Sequence, residues 1–216
     1  MSKACKAGLF LLMSIPLPLS AQIAISARAS TLGVGAELSI RAAKYVGFRL
    51  GGNYLQFSRD VTVESNRYTA TPHFENGTAI IDLYPFGGVF HLSGGAILNY
   101  NEGKLSAHEP FTFNGVTYSS DQVSQLNANV TFKHTAPYVG IGLAGQSRIA
   151  FLLDLGVGFT GKPVATLTAE TTLTGAERAQ FDTKLQEEQD RVQDEIDSRS
   201  YLRYHPVLSV GLKIGF

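Results

Sequence analysis

The last sixteen residues of the chain, Tyr201–Phe216, read YLRYHPVLSVGLKIGF and alternate between two kinds of side chain. The even positions are all apolar or aromatic, namely Leu202, Tyr204, Pro206, Leu208, Val210, Leu212, Ile214 and Phe216. The odd positions from Arg203 onward are small, polar or basic apart from Val207. Successive side chains of a β-strand point to opposite faces, so this pattern predicts one long strand over Tyr201–Phe216 with a wholly apolar face.

The same period of two recurs in seven earlier segments, which together with the last one predict eight strands. These segments are 22–29, 32–42, 45–54, 78–86, 90–101, 137–144 and 149–162. The first of them, QIAISARA, shows the weakest alternation. Alternation alone predicts half-buried strands and leaves two architectures open: a water-soluble sandwich or lipocalin-like barrel, and a barrel that crosses a membrane.

Two features favour the membrane-spanning barrel. The polar face is rich in Gly, Ser and Asn with isolated charges, whereas a sheet surface facing water normally carries more Lys, Glu and Thr. The connections also alternate in length. They are tight near Ala43, Gly87 and Gln146, but long and polar over 58–70, 104–127 and 166–200. Turns at one end and long loops at the other are typical of an up-and-down transmembrane barrel.

The amino-terminal segment has the features of a secretory signal. Lys3 and Lys6 precede a short apolar stretch, 8–19, and small residues follow at Ser20 and Ala21. We therefore expect a signal peptide over 1–21 and a mature barrel domain over 22–216. The single cysteine, Cys5, lies in the signal, so the mature chain is expected to contain no disulfide.

The signal segment, the strand pattern and the ending VGLKIGF resemble those of small outer-membrane β-barrel proteins of Gram-negative bacteria, the OmpA, OmpX and OmpW type. The resemblance implies an all-β, eight-stranded antiparallel barrel in the bacterial outer membrane, in contact with its lipid and lipopolysaccharide. It also implies that the barrel-assembly machinery reads the end of the last strand as an assembly signal. The residues that match this signal are Val210, Leu212, Ile214 and Phe216.

The face opposite the apolar one predicts which charged groups point into the lumen. They are Glu37, Arg41, Arg49, Asp82, His91, Asp154 and Lys213, together with Lys162, Arg203 and His205. Because single charges in a narrow, low-dielectric ring are costly, we expect them to pair in an internal network. Such a network either braces a closed barrel or acts as a gate whose ion pairs exchange partners. The first interpretation is favoured.

A further hypothesis concerns the pair His91 and Ser93. Some outer-membrane lipid A deacylases carry a similar His-x-Ser pair on one strand, where an imidazole activates a hydroxyl nucleophile. In that family the pair faces lipid, whereas the alternation here places both side chains in the lumen. The five histidines show no metal-ligand spacing, so neither a metal site nor another cofactor is expected.

The segment Thr174–Ser198 differs from the rest of the chain. Its composition predicts a helix with a narrow apolar stripe, Thr174 as the N-cap and Glu177 three residues later. From Ala176 to Ser198 it carries eight acidic and three basic residues. We expect a helical insertion in the last long loop, on the outer side if the amino terminus is periplasmic. Its role is open between a solvated arm, a cover for the barrel mouth, and a surface for self-association or another partner.

The predicted function is therefore non-enzymatic. Lysine and arginine total 18, as do aspartate and glutamate, so the zero net charge excludes a general attraction to nucleic acid. Three hypotheses remain open: a structural or surface-interaction barrel, a narrow porin-like pore for small solutes, and a lipid-modifying enzyme. Since one fold hosts several roles, the sequence does not choose firmly among them.

Overall fold

The computed structural model describes residues 22–63, 66–107, 111–113, 116–119 and 121–216. The expected signal peptide, 1–21, lies outside the described residues. Within the described ranges, no helix has both the length and the apolar character needed to cross a bilayer.

The described part of the chain is mostly β-structure with one helix near the carboxyl terminus. Its strands are β1 (Gln22–Ser30), β2 (Gly33–Ala43), β3 (Val46–Gln56), β4 (Arg59–Val63), β5 (Asn66–Leu83), β6 (Phe90–Asn99), β7 (Glu102–Ala107), β8 (Phe111–Phe113), β9 (Val116–Tyr118), β10 (Val123–Thr131), β11 (Thr135–Ala144), β12 (Ile149–Gly158), β13 (Val164–Thr171) and β14 (His205–Gly215). The helix α1 spans Gly175–Ser198, and a 3₁₀ turn follows at Ser200–Arg203.

Eight of these strands close into a ring in the order β1, β2, β3, β5, β6, β11, β12 and β14. Every neighbouring pair is antiparallel, and β14 pairs with β1 from Ala24–Gly215 to Ser30–Ser209. This last pairing leaves no free edge, which is the requirement for a sheet in hydrocarbon, where backbone groups find no water. The prediction of an eight-stranded antiparallel barrel is confirmed.

The barrel carries its apolar side chains on the outside. Phe151 is 80% exposed, and Leu208 and Leu212 are each 49% exposed, although a water-soluble core would bury all three. The inward positions of the same strands are polar: Asp154 on β12 is 2% exposed and Ser209 on β14 is 5% exposed. This inverted distribution is that of a membrane-spanning barrel.

The last strand is shorter than predicted. It begins at His205, because the residues before it form a local turn. The Leu202 amide donates to the Arg199 carbonyl and the Tyr204 amide to the Tyr201 carbonyl, each at 3.1 Å. Backbone groups used in this way are not available to the sheet, so the prediction of one strand from Tyr201 onward is wrong for its first four residues.

The long links contain strands that the sequence analysis did not predict. The first half of β5 extends beyond the barrel and pairs with β4 and β7. Strand β7 in turn pairs with β10, and β10 pairs with β13. We call β4, β7, β10, β13 and the first half of β5 the extension. Most of its residues lie in the stretches that the sequence predicted as long polar links, so no strand was predicted there.

Helix α1 folds back onto the extension, and Phe181 is its anchor. The Phe181 side chain is 1% exposed and packs against Val123 and Leu126 of β10, with Leu185 beside it. The predicted helix is confirmed, but its predicted cap is not: Thr174 occupies the N-cap position and its side chain makes no capping hydrogen bond.

The helix also covers the free edge of β13. The Leu167 amide donates to Gln189 Oε1 at 2.9 Å, and the Ala165 amide donates to Gln193 Oε1 at 3.0 Å. Alternate amides of a strand repeat about every 6.6 Å, close to the spacing of positions i and i+4 on a helix. Two glutamines one turn apart therefore satisfy the edge groups that would otherwise template pairing with another chain.

Candidate functional site

The lumen of the barrel is crossed by a layer of buried charges. Its members are Arg28, Glu37, Arg49, Asp82 and Asp154, from strands β1, β2, β3, β5 and β12, and we call them the charge layer. Each points inward because it alternates with lipid-facing apolar residues on its own strand.

Arg49 lies at the centre of the charge layer. Its Nε lies 2.6 Å from Asp82 Oδ2, and its Nη2 lies 2.9 Å from Asp82 Oδ1 and 3.1 Å from Asp154 Oδ1. Its Nη1 lies 3.5 Å from Glu37 Oε2. One guanidinium thus contacts all three carboxylates of the layer, which suits its planar set of five donors.

Arg28 is the second cation of the charge layer, and the sequence analysis missed it. Its Nη2 lies 2.9 Å from Glu37 Oε1, and its Nη1 pairs with Asp154 and donates to Ser209 Oγ at 3.2 Å. The sequence did contain a signal for it. Arg28 lies two residues after Ser26 and therefore points to the same face of β1, and Ser26 is buried in the lumen. The weak alternation of the first strand hid this signal.

His91 and Ser93 both reach the charge layer and contact its carboxylates. His91 Nε2 lies 3.0 Å from Asp154 Oδ1. The Ser93 hydroxyl donates to Asp82 Oδ1 at 2.7 Å and accepts from Arg49 Nη2 at 3.0 Å. His91 Nε2 also lies 3.9 Å from Asp82 Oδ1, and no hydrogen bond joins His91 to Ser93 in the part of the chain that the structure describes.

Glycines on the inner face make room for these side chains. A Cβ added at Gly142 would lie 2.5 Å from His91 Nε2 and 2.7 Å from Asp154 Oδ1. A Cβ at Gly51 would lie 2.8 Å from Thr78 Oγ1. The glycine-rich polar face in the sequence is thus explained by crowding inside a narrow ring.

An apolar cluster fills the lumen between the charge layer and the extension. It consists of Leu32, Ile80, Ile97, Ala136, Tyr138 and Val207, all buried. We call this cluster the plug. A cavity of only about 30 Å³ remains between the plug and the charge layer.

The opposite half of the lumen, toward the short turns, is open. A cavity of about 350 Å³ lies there, which we call the vestibule, and both Arg41 and Lys213 line it. The Arg41 guanidinium lies 4.0 Å from the ring centre of Tyr84, and its Nη2 donates to the carbonyls of Lys44 and Gly87 at 2.7 and 2.9 Å. Neither Arg41 nor Lys213 makes an ion pair with any residue that the structure describes, so the structure places these two predicted network members apart from the charge layer.

Two other charges that parity placed in the lumen lie outside it. Lys162 follows the end of β12, and its Nζ lies 2.8 Å from Asp197 Oδ2 on α1. This contact lowers the pKa of the Asp197 carboxyl below its usual value. Arg203 belongs to the 3₁₀ turn. The sequence predicted that β12 and β14 would extend to include these residues, which they do not. Beyond the end of a strand, an odd or even position no longer tells which way a side chain points.

No group of three or more histidine, cysteine, aspartate or glutamate side chains in the described ranges is arranged to hold a metal ion.

Comparison with protein-family models finds no match, and comparison with curated protein sequences finds none either. Solved structures do match. Acinetobacter baumannii CarO2 is 20% identical, with a TM-score of 0.60 over 90% of this chain and 98% of the other. Acinetobacter baumannii CarO is 24% identical, with a TM-score of 0.59 over 89% and 97% of the two chains. At these identities the likeness shows the fold, that of small outer-membrane β-barrels.

Proposed function

We propose that this chain is an outer-membrane barrel with a closed lumen that serves as a rigid anchor for a folded surface platform, made of the extension and α1. The observation that carries the proposal is the filling of the lumen, by the charge layer and the plug, beneath that platform. A barrel built to conduct would leave a continuous aqueous path instead.

The size of the remaining space supports a closed lumen. The cavity of about 30 Å³ between the plug and the charge layer has room for only a few water molecules. A hydrated solute does not fit there without moving Tyr138 or Ile97 of the plug. Rearranging such a packed cluster is costly, because it separates apolar groups that are in close contact.

The position and the ordered packing of the platform support a surface role. Long connections of outer-membrane barrels lie on the extracellular side and short turns on the periplasmic side, which would place the extension and α1 outside the cell. The extension is held by Phe181 and by the edge contacts of Gln189 and Gln193. A loop without a binding role has no need of such ordering, which has a cost in conformational entropy.

A narrow pore for small solutes is the second candidate, favoured by the vestibule. This cavity of about 350 Å³ leads to the charge layer, where Arg49 contacts three carboxylates at once. Exchange of these partners would provide a gate.

A lipid-modifying role for His91 and Ser93 has less support, since their side chains are buried in the lumen. Unchanged lipid A acylation in cells expressing the chain would remove it.

Conductance of the purified protein in planar bilayers separates the first two candidates. We expect no conductance above background for the native chain. The variant Arg49→Ala, Asp82→Ala, Ile97→Gly and Tyr138→Gly removes large side chains from both the charge layer and the plug; it is the positive control and, once shown to be folded, should conduct. Stepwise conductance of the native chain would instead favour the pore.

The surface role needs a readout of its own. Cells expressing the native chain should bind immobilised lipopolysaccharide several-fold better than cells expressing Phe181→Asp, which undocks α1 without shortening the chain. Gln186→Asp adds the same charge on an exposed position of the helix and is the matched control. Equal binding by all three chains, at equal surface levels, would contradict a platform that recognises this surface.

A further inference from the structure

We propose that the vestibule is a binding site for a small phosphate-bearing anion, held between Arg41 and Lys213. Nothing in the surface role of the extension requires such a site, which lies at the other end of the barrel. The inference holds whether or not the lumen conducts.

Charge is distributed unevenly along the lumen. Glu37, Asp82 and Asp154 all lie in the charge layer, where Arg28 and Arg49 already contact them. Arg41 and Lys213 line the vestibule, and in the described residues neither has a carboxylate partner. Both side chains are only half-buried and are therefore open to a ligand from solution, and two cations without partners in one cavity favour an anion as that ligand.

The remaining groups around the vestibule keep its charge positive. Arg148, in the turn after β11, also lines the cavity. Arg28, Glu37, Arg49 and Asp82 of the charge layer border the cavity as well. The five cations around it are Arg28, Arg41, Arg49, Arg148 and Lys213, against the three carboxylates of Glu37, Asp82 and the adjacent Asp154, which leaves an excess of positive charge. Low-dielectric walls strengthen the attraction of such an excess for an anion.

Arg41 is already held in one orientation. Its guanidinium stacks on Tyr84 at 4.0 Å, and both of its hydrogen bonds, to Lys44 and Gly87, use Nη2. No described residue accepts a hydrogen bond from Nε or Nη1. A guanidinium held in one orientation with free donors is suited to phosphate, because little side-chain entropy is lost on binding.

Further polar groups are present in the vestibule. Gln22 lines it, as does His91, whose Nδ1 is buried and has no hydrogen-bond partner in the described residues. A phosphate ion carries accepting oxygens and, at neutral pH, a hydroxyl that donates, so an amide and an imidazole nitrogen beside two cations fit its chemistry. A neutral solute would leave both cations without a counter-charge.

Two sources can supply this chemistry: a free phosphorylated solute, or the phosphate headgroup of a lipid in the adjacent leaflet. The test begins with the refolded barrel in dodecyl maltoside, a detergent without phosphate, titrated with inorganic phosphate by calorimetry. We expect saturable binding. Arg41→Gln and Lys213→Gln should each weaken it about tenfold, as expected for loss of one charge-assisted contact. Arg203→Gln removes one positive charge at the far end of the barrel and should leave binding unchanged.

The source is then identified in vesicles. The protein is reconstituted in phosphatidylcholine alone and in phosphatidylcholine with one-third phosphatidylglycerol, and the phosphate titration is repeated. The reference is the Kd in dodecyl maltoside at the same high salt, which screens the surface potential of the vesicles. A higher apparent Kd in either kind of vesicle than in the detergent identifies a lipid headgroup as the competing occupant, and a Kd equal to that in the detergent identifies a free solute. Absence of saturable phosphate binding, or equal binding by Arg41→Gln, Lys213→Gln and Arg203→Gln, would overturn the proposal. Heat-modifiable migration on gels verifies that each variant is folded.

Discussion

Two nitrogens of Arg49 contact the carboxylate of Asp82: Nε lies 2.6 Å from Oδ2, and Nη2 donates to Oδ1 at 2.9 Å. The two residues sit on the adjacent strands β3 and β5, and both side chains are almost fully buried. Arg49 also contacts Glu37 and Asp154, so this one side chain links four strands of the ring. The stability of the lumen should therefore depend more on Arg49 than on any other charge we have described.

Replacing Arg49 with Met should destabilise the barrel by about 3–5 kcal/mol, because three buried carboxylates would be left with Arg28 alone. Urea unfolding of the protein in lipid vesicles, followed by circular dichroism, measures this loss. Lys213→Met is the matched control, since Lys213 also faces the lumen but makes no described ion pair. Equal stability of the two variants would show that the charge layer does not brace the barrel.

Gly142 and Gly94 provide a test of lumen crowding with one added methyl group. A Cβ at Gly142 would meet His91 and Asp154 at 2.5 and 2.7 Å, so Gly142→Ala should cost about 1–3 kcal/mol through overpacking. A Cβ at Gly94 has nothing within 4 Å, so Gly94→Ala should stay within about 0.5 kcal/mol of the native chain. The same urea titration compares them, and an inert Gly142→Ala would mean that the lumen is looser than described.

The edge contacts of α1 predict a local effect. In the double variant Gln189→Ala and Gln193→Ala, the amides of Ala165 and Leu167 lose their acceptors, at about 1 kcal/mol for each hydrogen bond. Hydrogen exchange at both amides should accelerate by about fivefold or more. Gln186→Ala, on an exposed face of the same helix, should leave both rates unchanged. Unaltered exchange in the double variant would mean that β13 does not need this cover.

The assembly signal predicts a difference between cells and the test tube. Phe216→Ala should lower the amount of folded barrel in the outer-membrane fraction several-fold, because the assembly machinery is expected to read this residue. The same variant should refold normally from urea into detergent. Phe151→Ala removes an equally exposed lipid-facing ring from β12. If both variants assembled equally well in cells, Phe216 would be an ordinary lipid contact.

Much of the site was predictable where strands were continuous. Inside β2, β3, β5, β6 and β12, parity placed Glu37, Arg49, Asp82, His91 and Asp154 on the inner face, and the structure places them there. Parity failed beyond strand ends, at Lys162 and Arg203, because a turn resets the direction of the side chains. Alternation also does not tell at which height along the barrel axis a side chain lies. For this reason Arg41 and Lys213 were expected in one network with the other charges.

The sequence by itself determined the two faces of each barrel strand and the closure of the ring, because alternation sets side-chain direction and an outward apolar face in hydrocarbon permits no free edge. Only the tertiary structure decided which charges meet. Arg28 pairs with Asp154, 126 residues away on a strand that is not its neighbour. That contact depends on the stagger of the strands around the ring and on the reach of each side chain, which no local pattern encodes.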